Sequence, residues 1–372
     1  MLIRVSRVVA VLSVLAIVIS ACAPSPAPTK ATEAQPTAGE ATTAATTEAT
    51  ESVATEPSTT EGPAPAQEGG WCSGTNIVFF PGGSPGGGFE TVVYNGAVQA
   101  AADTGANVEY VWSDWDPSKM VTQLQEAVAT SPNGIAIMGH PGDEAYQDIV
   151  DQAEADGIII TSMNTQTPSL QSQYATKGYG YVGAILHDAG YALGAEAVKR
   201  AGLQAGDKAF LWGLEAQAGR GERTKGVHDA LDDAGVEVIY QEIDDATNRD
   251  ASAGVPVFTG IISSNPDIKL VITDHGNLTG TMQTFFEAAG LGPEDAYGAG
   301  FDMSGNAVEA IRSGFLDLVI DQQQWLQGYF GVLQICLTHN YGFAGLQIDT
   351  GAGFADKDNI EMLAPLVEQQ IR

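Results

Sequence analysis

Short apolar runs alternate with amphipathic segments along most of this 372-residue chain. The pattern is clearest in residues 131–168, where the apolar run Gly134–Met138 has the length of a buried strand. Apolar residues then recur at helical spacing from Ala145 to Ala153, and Gly157 ends that period before a second apolar run, Ile158–Ile160. Parallel strands that are buried on both faces have this continuous apolar character. The stretch therefore predicts a parallel strand–helix–strand unit.

The same layout recurs before and after this unit and predicts two rounds of alternating strands and helices. The apolar runs predict strands at residues 76–80, 108–112, 134–138, 158–160, 179–182, 208–212, 236–240, 269–273, 297–301 and 316–320. Helical spacing predicts helices at residues 89–103, 118–130, 143–156, 187–201, 219–234, 255–264, 278–290, 306–313 and 325–339. Such alternation is typical of an α/β protein with doubly wound lobes.

Polar or aromatic side chains follow almost every predicted strand. Ligands of open α/β sheets bind beyond the carboxyl ends of the strands, so these side chains are candidates for a binding cleft. Carboxylates, amides and guanidinium groups supply hydrogen-bond donors and acceptors, and an aromatic ring supplies an apolar face. The candidates at strand ends are Asp114, Trp115, Asn164, Asn248, His275, Asp302 and Gln322.

A glycine-rich loop, Pro81–Gly88, separates the first predicted strand from the helix that begins at Phe89. The loop lacks the Gly-Lys-Ser/Thr ending of a P-loop, and Glu90 at the helix start repels phosphate. Nucleotide binding is therefore not expected. We expect instead a close backbone approach to an uncharged ligand, with Phe89 and Glu90 presented to it.

Charge and chemistry narrow the classes of function. The formal net charge of −30 excludes nucleic acid and an anionic membrane surface as partners, because both require an excess of Lys and Arg. His140, Asp143 and Glu144 suggest a metal site, but such a group without fixed spacing is common by chance. The Gly-x-Ser-x-Gly elbow of many hydrolases does not occur. We therefore expect a binding protein without a cofactor or metal, and not an enzyme.

The N-terminal residues have the composition of an export signal. Arg4 and Arg7 precede an apolar run, Val8–Ile19, that is shorter than the roughly 20 residues of a membrane span. Ile19-Ser20-Ala21-Cys22 resembles the bacterial lipobox, which implies a signal peptide at residues 1–21 and lipidation of Cys22 on the outer side of a membrane. Ordinary signal cleavage beside an incidental cysteine is the alternative.

Residues 22–70 are predicted to form a disordered linker between the membrane and the folded part. Ala, Thr, Pro and Glu dominate this segment, Lys30 is its only basic residue, and no aromatic residue occurs before Trp71. A segment of this composition cannot bury enough apolar surface to offset the entropy of ordering it.

Several segments of the folded part resemble the ribose/galactose class of periplasmic sugar-binding proteins. They are residues 131–160, 265–272, 300–302 and 310–316, within a resemblance that covers roughly residues 76–345. The resemblance implies a type I periplasmic binding protein fold, with two Rossmann-like lobes, parallel sheets and a three-segment hinge. It also implies a small carbohydrate ligand, an ABC transporter permease as partner, a membrane contact only through the lipid anchor, and a monomer. The lactose-repressor family shares this core, but its helix-turn-helix stands where this chain has a signal and a spacer.

The resemblance also assigns ligand contacts by position. The positions that match the family directly are Phe89, Phe301, Asp302 and Gln322. The positions that depart from it are Glu90, Asn164, Arg220, Asn248 and His275. Arg220 is chosen because the family's arginine falls on Gly221, and Asn164-Thr165 replaces a charged Asp-Arg pair. These departures imply a ligand other than ribose, such as another monosaccharide or a polyol.

The implied lobes comprise residues 71–167 with about 323–346, and residues 168–322 with about 347–372. The return of the chain to the first lobe brings the helix at 325–339 towards the start of the first strand. We therefore expect a disulfide between Cys72 and Cys336, with two separate thiols as the alternative.

The expected function is capture of a small neutral carbohydrate by hinge closure and its delivery to an ABC importer. Two alternatives remain. One is a receptor for a signal molecule or nucleoside on the same fold. The other is an exported carbohydrate-active enzyme, which would require acids such as Asp114 and Asp302 to lie close together.

Overall fold

The computed structural model describes residues 69–372. The predicted signal peptide, the lipidation site Cys22 and the predicted linker up to residue 68 lie outside the described residues. Within the described part, no helix combines the length and the hydropathy that are needed to cross a membrane.

Two six-stranded sheets organise the described residues. The strands are β1 (Asn76–Gly82), β2 (Asn107–Trp112), β3 (Gly134–Met138), β4 (Ile159–Met163), β5 (Gly180–Gly183), β6 (Lys208–Gly213), β7 (Glu237–Glu242), β8 (Ile268–Thr273), β9 (Tyr297–Phe301), β10 (Leu318–Asp321), β11 (Gln347–Asp349) and β12 (Gly353–Ala355). The helices are α1 (Gly88–Thr104), α2 (Pro117–Ala129), α3 (Gly142–Ala155), α4 (Pro168–Tyr174), α5 (Leu186–Ala201), α6 (Glu222–Asp233), α7 (Asp245–Arg249), α8 (Val255–Ser264), α9 (Gly276–Thr279), α10 (Met282–Ala288), α11 (Gly305–Ser313), α12 (Gln324–Tyr341) and α13 (Ile360–Glu368).

The strand order is β11-β5-β4-β3-β1-β2 in the first sheet and β12-β10-β9-β8-β6-β7 in the second. Within residues 69–372, β10 and β12 pair antiparallel and the other paired strands are parallel. All five residues of β3 are buried between β1 and β4. The prediction of an α/β fold with two parallel sheets is therefore confirmed.

The chain passes between the sheets three times. It leaves the first sheet after β5, returns to it after β10, and leaves again between β11 and β12. We call the parts around the two sheets the first lobe (residues 69–183 and 324–349) and the second lobe (residues 184–321 and 353–372). The predicted crossings at residues 168 and 347 are too early, because β5 pairs with β4 and β11 pairs with β5. The sequence pattern places the short run of β5 in the second round of strands and helices, whereas β5 completes the first sheet.

Each sheet carries a hydrophobic core on both faces. In the first lobe, Ile137 packs on the side of α2 and α3, and Phe79 packs on the side of α1 and α12. In the second lobe, Trp212 lies 5.3 Å from Phe285, ring centroid to ring centroid, among the helices α8–α10. The predicted helix at 278–290 is two helices, α9 and α10, and α4, α7, β11, β12 and α13 were not predicted.

Cys72 and Cys336 form a disulfide, as expected. Both residues are buried, and their Cα atoms lie 5.7 Å apart across a sequence separation of 264 residues. A loop of this length corresponds to about 5–6 kcal/mol of stabilisation in the chain-entropy model. The bond joins the segment before β1 to the far half of α12.

Candidate ligand-binding cleft

The carboxyl ends of the strands in the two lobes face one another, and the lobes touch across the gap. The backbone N–H of Leu186 in the second lobe donates to Oε1 of Gln166 in the first at 3.3 Å. Gly219 has a φ of +67°, and a Cβ added there would lie 3.2 Å from Cγ2 of Thr165. Since parallel sheets bind ligands at this edge, the space between the lobes is the candidate site.

Four of the predicted site residues have a left-handed backbone. The φ angles are 54° for Asp114, 55° for Trp115, 62° for Asn164 and 73° for Asp302. This conformation is uncommon outside glycine, and for a bulky residue such as Trp115 it is a true outlier. Strained backbone of this kind concentrates at functional sites. The turns that end β2, β4 and β9 therefore mark the candidate site independently of side-chain chemistry.

The first lobe contributes a wall of rings. The centroid of the Trp115 ring lies 5.7 Å from that of Phe89 and 5.1 Å from that of His140. The indole fills the place that a side chain on Gly82 would occupy. An aromatic face of this size suits the C–H face of a sugar ring.

Glu90 lies buried behind this wall. Its carboxylate accepts a hydrogen bond from the backbone N–H of Ser84 at 3.1 Å and another from the indole of Trp115. Burial raises its pKa, which these hydrogen bonds partly offset. Side chains on Gly83 or Gly87 would collide with the carboxylate. At Gly83 and Gly87 the close approach that the glycine loop permits is therefore to Glu90, and an approach of the loop to a ligand stays a prediction.

The second lobe contributes a buried ion pair. Nη1 of Arg220 lies 3.1 Å from Oδ2 of Asp274, which also accepts from the hydroxyl of Thr224. Asp274 is fully buried. Burial alone would raise the pKa of Asp274, but the charges of Arg220 and Arg223 outweigh that effect and lower it to about 2. The predicted contact Arg220 thus has a protein partner for much of its guanidinium group.

Arg223 is a site residue that the sequence did not single out. Its guanidinium carbon lies 4.3 Å from the centroid of the Phe301 ring, and it donates to the backbone carbonyl of Asp274. Its Nε is buried and has no hydrogen-bond partner within residues 69–372. Burial and the neighbouring Arg220 lower its pKa to about 10. Arg223 also covers Phe301, which is buried and does not offer the stacking surface we expected.

Asp302 and Gln322, which were both predicted to contact the ligand, lie beside each other. Nε2 of Gln322 donates to Oδ1 of Asp302 at 2.6 Å, and Nε2 of Gln324, from the first lobe, reaches the same oxygen at 3.4 Å. Oε1 of Gln322 is buried without a partner in the described part of the chain. Burial raises the pKa of Asp302, while Arg223 opposes that shift.

Two histidines lie at the cleft, His140 in the first lobe and His275 in the second. Burial and then the charge of Arg220 lower the pKa of His140 to about 3 and that of His275 to about 4. Arg223 acts on both in the same direction. Both rings retain some solvent contact, yet they lie among enough positive charge to remain neutral at pH 7. His140 was considered only as a metal ligand and is instead part of the ring wall.

The remaining predicted residues differ in how deep they lie. Asn164 is buried, and its Nδ2 reaches Oε1 of Gln327 at 3.4 Å. Asn248 has a buried Oδ1 without a partner among residues 69–372. Asp114 is exposed at the rim, where its carboxylate accepts from Ser84 Oγ at 2.5 Å and pairs with Lys119 at 2.5 Å.

His140, Asp143 and Glu144 do not converge on a shared point. Asp143 accepts hydrogen bonds from the backbone N–H groups of Ser169 and Leu170 at the start of α4. Across the described residues, no group of three or more His, Cys, Asp or Glu side chains is arranged to hold a metal ion.

Residues 77–336 match the family described as "Periplasmic binding protein domain". The match covers well over half of the chain, and the doubly wound lobes agree with it. The chain belongs to this family, and its fold is the type I periplasmic binding protein fold.

The chain is similar to two curated sugar-binding proteins at low sequence identity. The chain is 27% identical over 262 residues to the xylose/arabinose-binding protein of Sulfolobus acidocaldarius, which covers 66% of this chain and 62% of that one. It is 28% identical over 202 residues to the D-apiose import binding protein of Paraburkholderia graminis, which covers 53% and 60% of the two chains. The chain thus spans about three fifths of the length of these curated relatives.

A solved structure matches over a larger share. The carbohydrate transporter of Acidothermus cellulolyticus, in complex with myo-inositol, is 26% identical with a TM-score of 0.68. The match covers 80% of this chain and 99% of that chain.

Proposed function

We propose that this protein is an extracytoplasmic solute-binding lipoprotein that captures a small neutral sugar or polyol between its lobes. It then delivers the ligand to the permease of an ABC importer. The family supports the class of protein, and the cleft residues support the class of ligand.

The observation that carries the proposal is a set of buried polar atoms opposite the ring wall. Arg223 offers a donor at Nε, and Asn248 and Gln322 offer acceptors at Oδ1 and Oε1, all without protein partners among the described residues. A buried polar atom that stays unpaired costs about 1–3 kcal/mol. A ligand with several hydroxyls satisfies donors and acceptors together, while its C–H face meets Trp115.

The charge of the cleft favours a neutral ligand. Arg220 and Arg223 are balanced by Asp274 and Asp302, and the two cleft histidines are neutral. A ligand with a net charge would disturb this balance in a partly desolvated space, which is costly. We therefore expect the site to reject sugar acids and sugar phosphates.

The relatives narrow the size of the ligand. Two of them are named for pentoses, and the third was solved with myo-inositol. We propose that the ligand here is of pentose or cyclitol size. The lipid anchor at Cys22 and the placement outside the cytoplasm rest on the N-terminal sequence, and the permease rests on the family resemblance.

Calorimetric titration of the intact protein with arabinose, xylose, apiose, myo-inositol and a nucleoside tests the proposal. One of the three sugars or myo-inositol should bind. Gln322→Ala should weaken that binding strongly, because the substitution removes a buried contact. Gln204→Ala, at an exposed position, is the matched control. Binding of the nucleoside alone would retain the fold and overturn the ligand class, and release of a product would indicate an enzyme.

A further inference from the structure

Three of the seven exposed large hydrophobic side chains in the described part of the chain lie within one short loop. Tyr341 is 60% exposed, Phe343 55% and Leu346 49%. They follow the C-terminal end of α12, and no charged residue occurs in residues 341–346. Trp71, which is partly exposed, stacks on Tyr341 with 5.8 Å between ring centroids. We call these four residues the aromatic patch.

The patch is built into the fold. Phe343 lies 6.1 Å from Tyr341, centroid to centroid, and Nδ2 of Asn340 donates to the backbone carbonyl of Trp71. The neighbouring disulfide ties residue 72 to α12. Apolar surface that is held rigid and uncharged on a chain with a net charge of −30 marks an interaction surface.

The chain itself indicates which surface covers the patch. Residues 1–68 join the described part immediately before Trp71, so an anchor at Cys22 would connect to the fold inside the patch. For a disordered linker of the length that the sequence predicts here, the root-mean-square end-to-end distance is on the order of 40 Å. The patch is therefore the apolar surface nearest to the attachment point of the tether and within reach of the membrane.

Its chemistry fits the boundary between lipid headgroups and acyl chains. Trp and Tyr are the residues that concentrate at that boundary, and Phe and Leu bury their side chains just below it. The strong negative charge of the chain opposes binding to anionic lipids but leaves zwitterionic lipids available. A polysaccharide would need polar donors beside the rings, and Asn340 already donates to Trp71.

We propose that the aromatic patch docks the folded part onto the zwitterionic lipid surface that carries the anchor. This inference rests on the lipid anchor of the proposed function and extends it, since the sequence implied a membrane contact only through that anchor. α12 separates the patch from the cleft by 18 residues, or about 27 Å. A domain docked through the patch therefore keeps the cleft away from the bilayer and open to solute.

Tryptophan quenching by lipids tests the docking. The full chain with its anchor is reconstituted into phosphatidylcholine vesicles whose acyl chains carry bromine close to the headgroup. Bromine should quench part of the emission of the five tryptophans, and Trp71→Phe should remove that part. The double variant Phe343→Ser, Leu346→Ser should lose most of the quenching. Met362→Ser, at a position that is 69% exposed on α13, should keep it.

Other results overturn the proposal. Unquenched Trp71 in protein that floats with the vesicles means that the patch faces away from the lipid. Quenching that the double variant leaves unchanged has the same consequence. A concentration-dependent dimer that the double variant abolishes would assign the patch to a second copy of the chain. Protein that does not float lacks the anchor and overturns the docking as well, while sugar titration of the same sample reports separately on the ligand cleft.

Discussion

The two walls of the cleft differ in chemistry. The first lobe presents rings, with Trp115 between Phe89 and His140, and keeps its acid, Glu90, behind them. The second lobe presents guanidinium and carboxylate groups that are already paired, with Arg220 on Asp274.

This difference separates two tasks. A ring wall binds by burying apolar surface, which depends little on direction. A wall of paired charges and buried amides binds through hydrogen bonds, which depend strongly on direction. We infer that the first lobe contributes affinity for any sugar-like face and that the second lobe selects the arrangement of hydroxyls.

The largest loss of stability and binding is expected from breaking the buried ion pair of Arg220 and Asp274 in the second lobe. Asp274→Ala leaves the buried Arg220 without its carboxylate partner and removes a neighbouring negative charge from Arg223, and loss of one partner of a buried pair costs about 3–5 kcal/mol. Chemical denaturation should show this loss of unfolding free energy, together with loss of ligand binding.

Asp267→Ala is the matched control, because Asp267 pairs with Lys208 at 3.0 Å and its side chain is 63% exposed. Its effect should be a small fraction of the other, since exposed ion pairs contribute little. Equal effects at the two positions would mean that the buried pair does not organise the second lobe.

Substitution in the ring wall should lower ligand affinity in a different way. Trp115→Ala is expected to weaken ligand binding by about tenfold or more, since a ring contact contributes about 0.5–1.5 kcal/mol beyond the area that it buries. All polyols should lose affinity to a similar extent, whereas Gln322→Ala should change their ranking. Trp112→Ala, three residues away and with its ring centroid 5.5 Å from that of Tyr94, is the control in the same titration. Comparable losses at both tryptophans would contradict a special role for Trp115.

His140 in the first lobe and His275 in the second should make the stability of the protein depend on pH. Both pKa values are lower in the folded protein than in the unfolded chain, where histidine titrates near 6.5. The unfolded state therefore binds more protons below that pH. The contribution of the two neutral histidines to the free energy of unfolding is fully present above pH 6.5. It decreases as the pH falls towards about 4 for His275 and about 3 for His140.

Each histidine should add up to about 1.4 kcal/mol per pH unit to the slope of unfolding free energy in this window. His140→Gln and His275→Gln should each reduce that slope. Denaturation curves from pH 7 to pH 4.5 measure the slopes. An unchanged slope in both cleft variants would show that these rings are protonated as easily in the folded state.

Periodicity predicted most of the fold, because β3 and its neighbours are buried on both faces and so read as continuous apolar runs. Periodicity gave the wrong lobe for β5, because a strand of four residues between Tyr179 and Ala184 fits the end of the first sheet as well as the start of the second. Only the pairing of β5 with β4 decides between them. The disulfide was expected from the resemblance, because the sequence alone offers no distance between Cys72 and Cys336.

The candidate site was predicted by position and not by pairing. The rule that polar residues at strand ends face a cleft located Asn164, Asp302 and Gln322. It did not reveal that Asp274, just after β8, would bind the guanidinium group of Arg220, which lies two residues before α6 and 54 residues earlier in the chain. The three-residue spacing of Arg220 and Arg223 was the available signal, because it places both on one side of the helix that the sequence predicts at residues 219–234.

The smallest effect is expected at the rim, where Asp114 tests how far the ring wall extends. Asp114 follows the same strand as Trp115 and was predicted to contact the ligand, but its carboxylate is exposed and already bound to Lys119 and Ser84. Asp114→Asn retains the left-handed backbone, which asparagine tolerates well, and removes only the charge. The affinity for the proposed ligand should therefore stay within about twofold in a calorimetric titration, because a solvated rim charge contributes little to the binding of a neutral molecule. A loss as large as that of Trp115→Ala would instead place Asp114 in contact with the ligand, and the first lobe would then also supply directional hydrogen bonds.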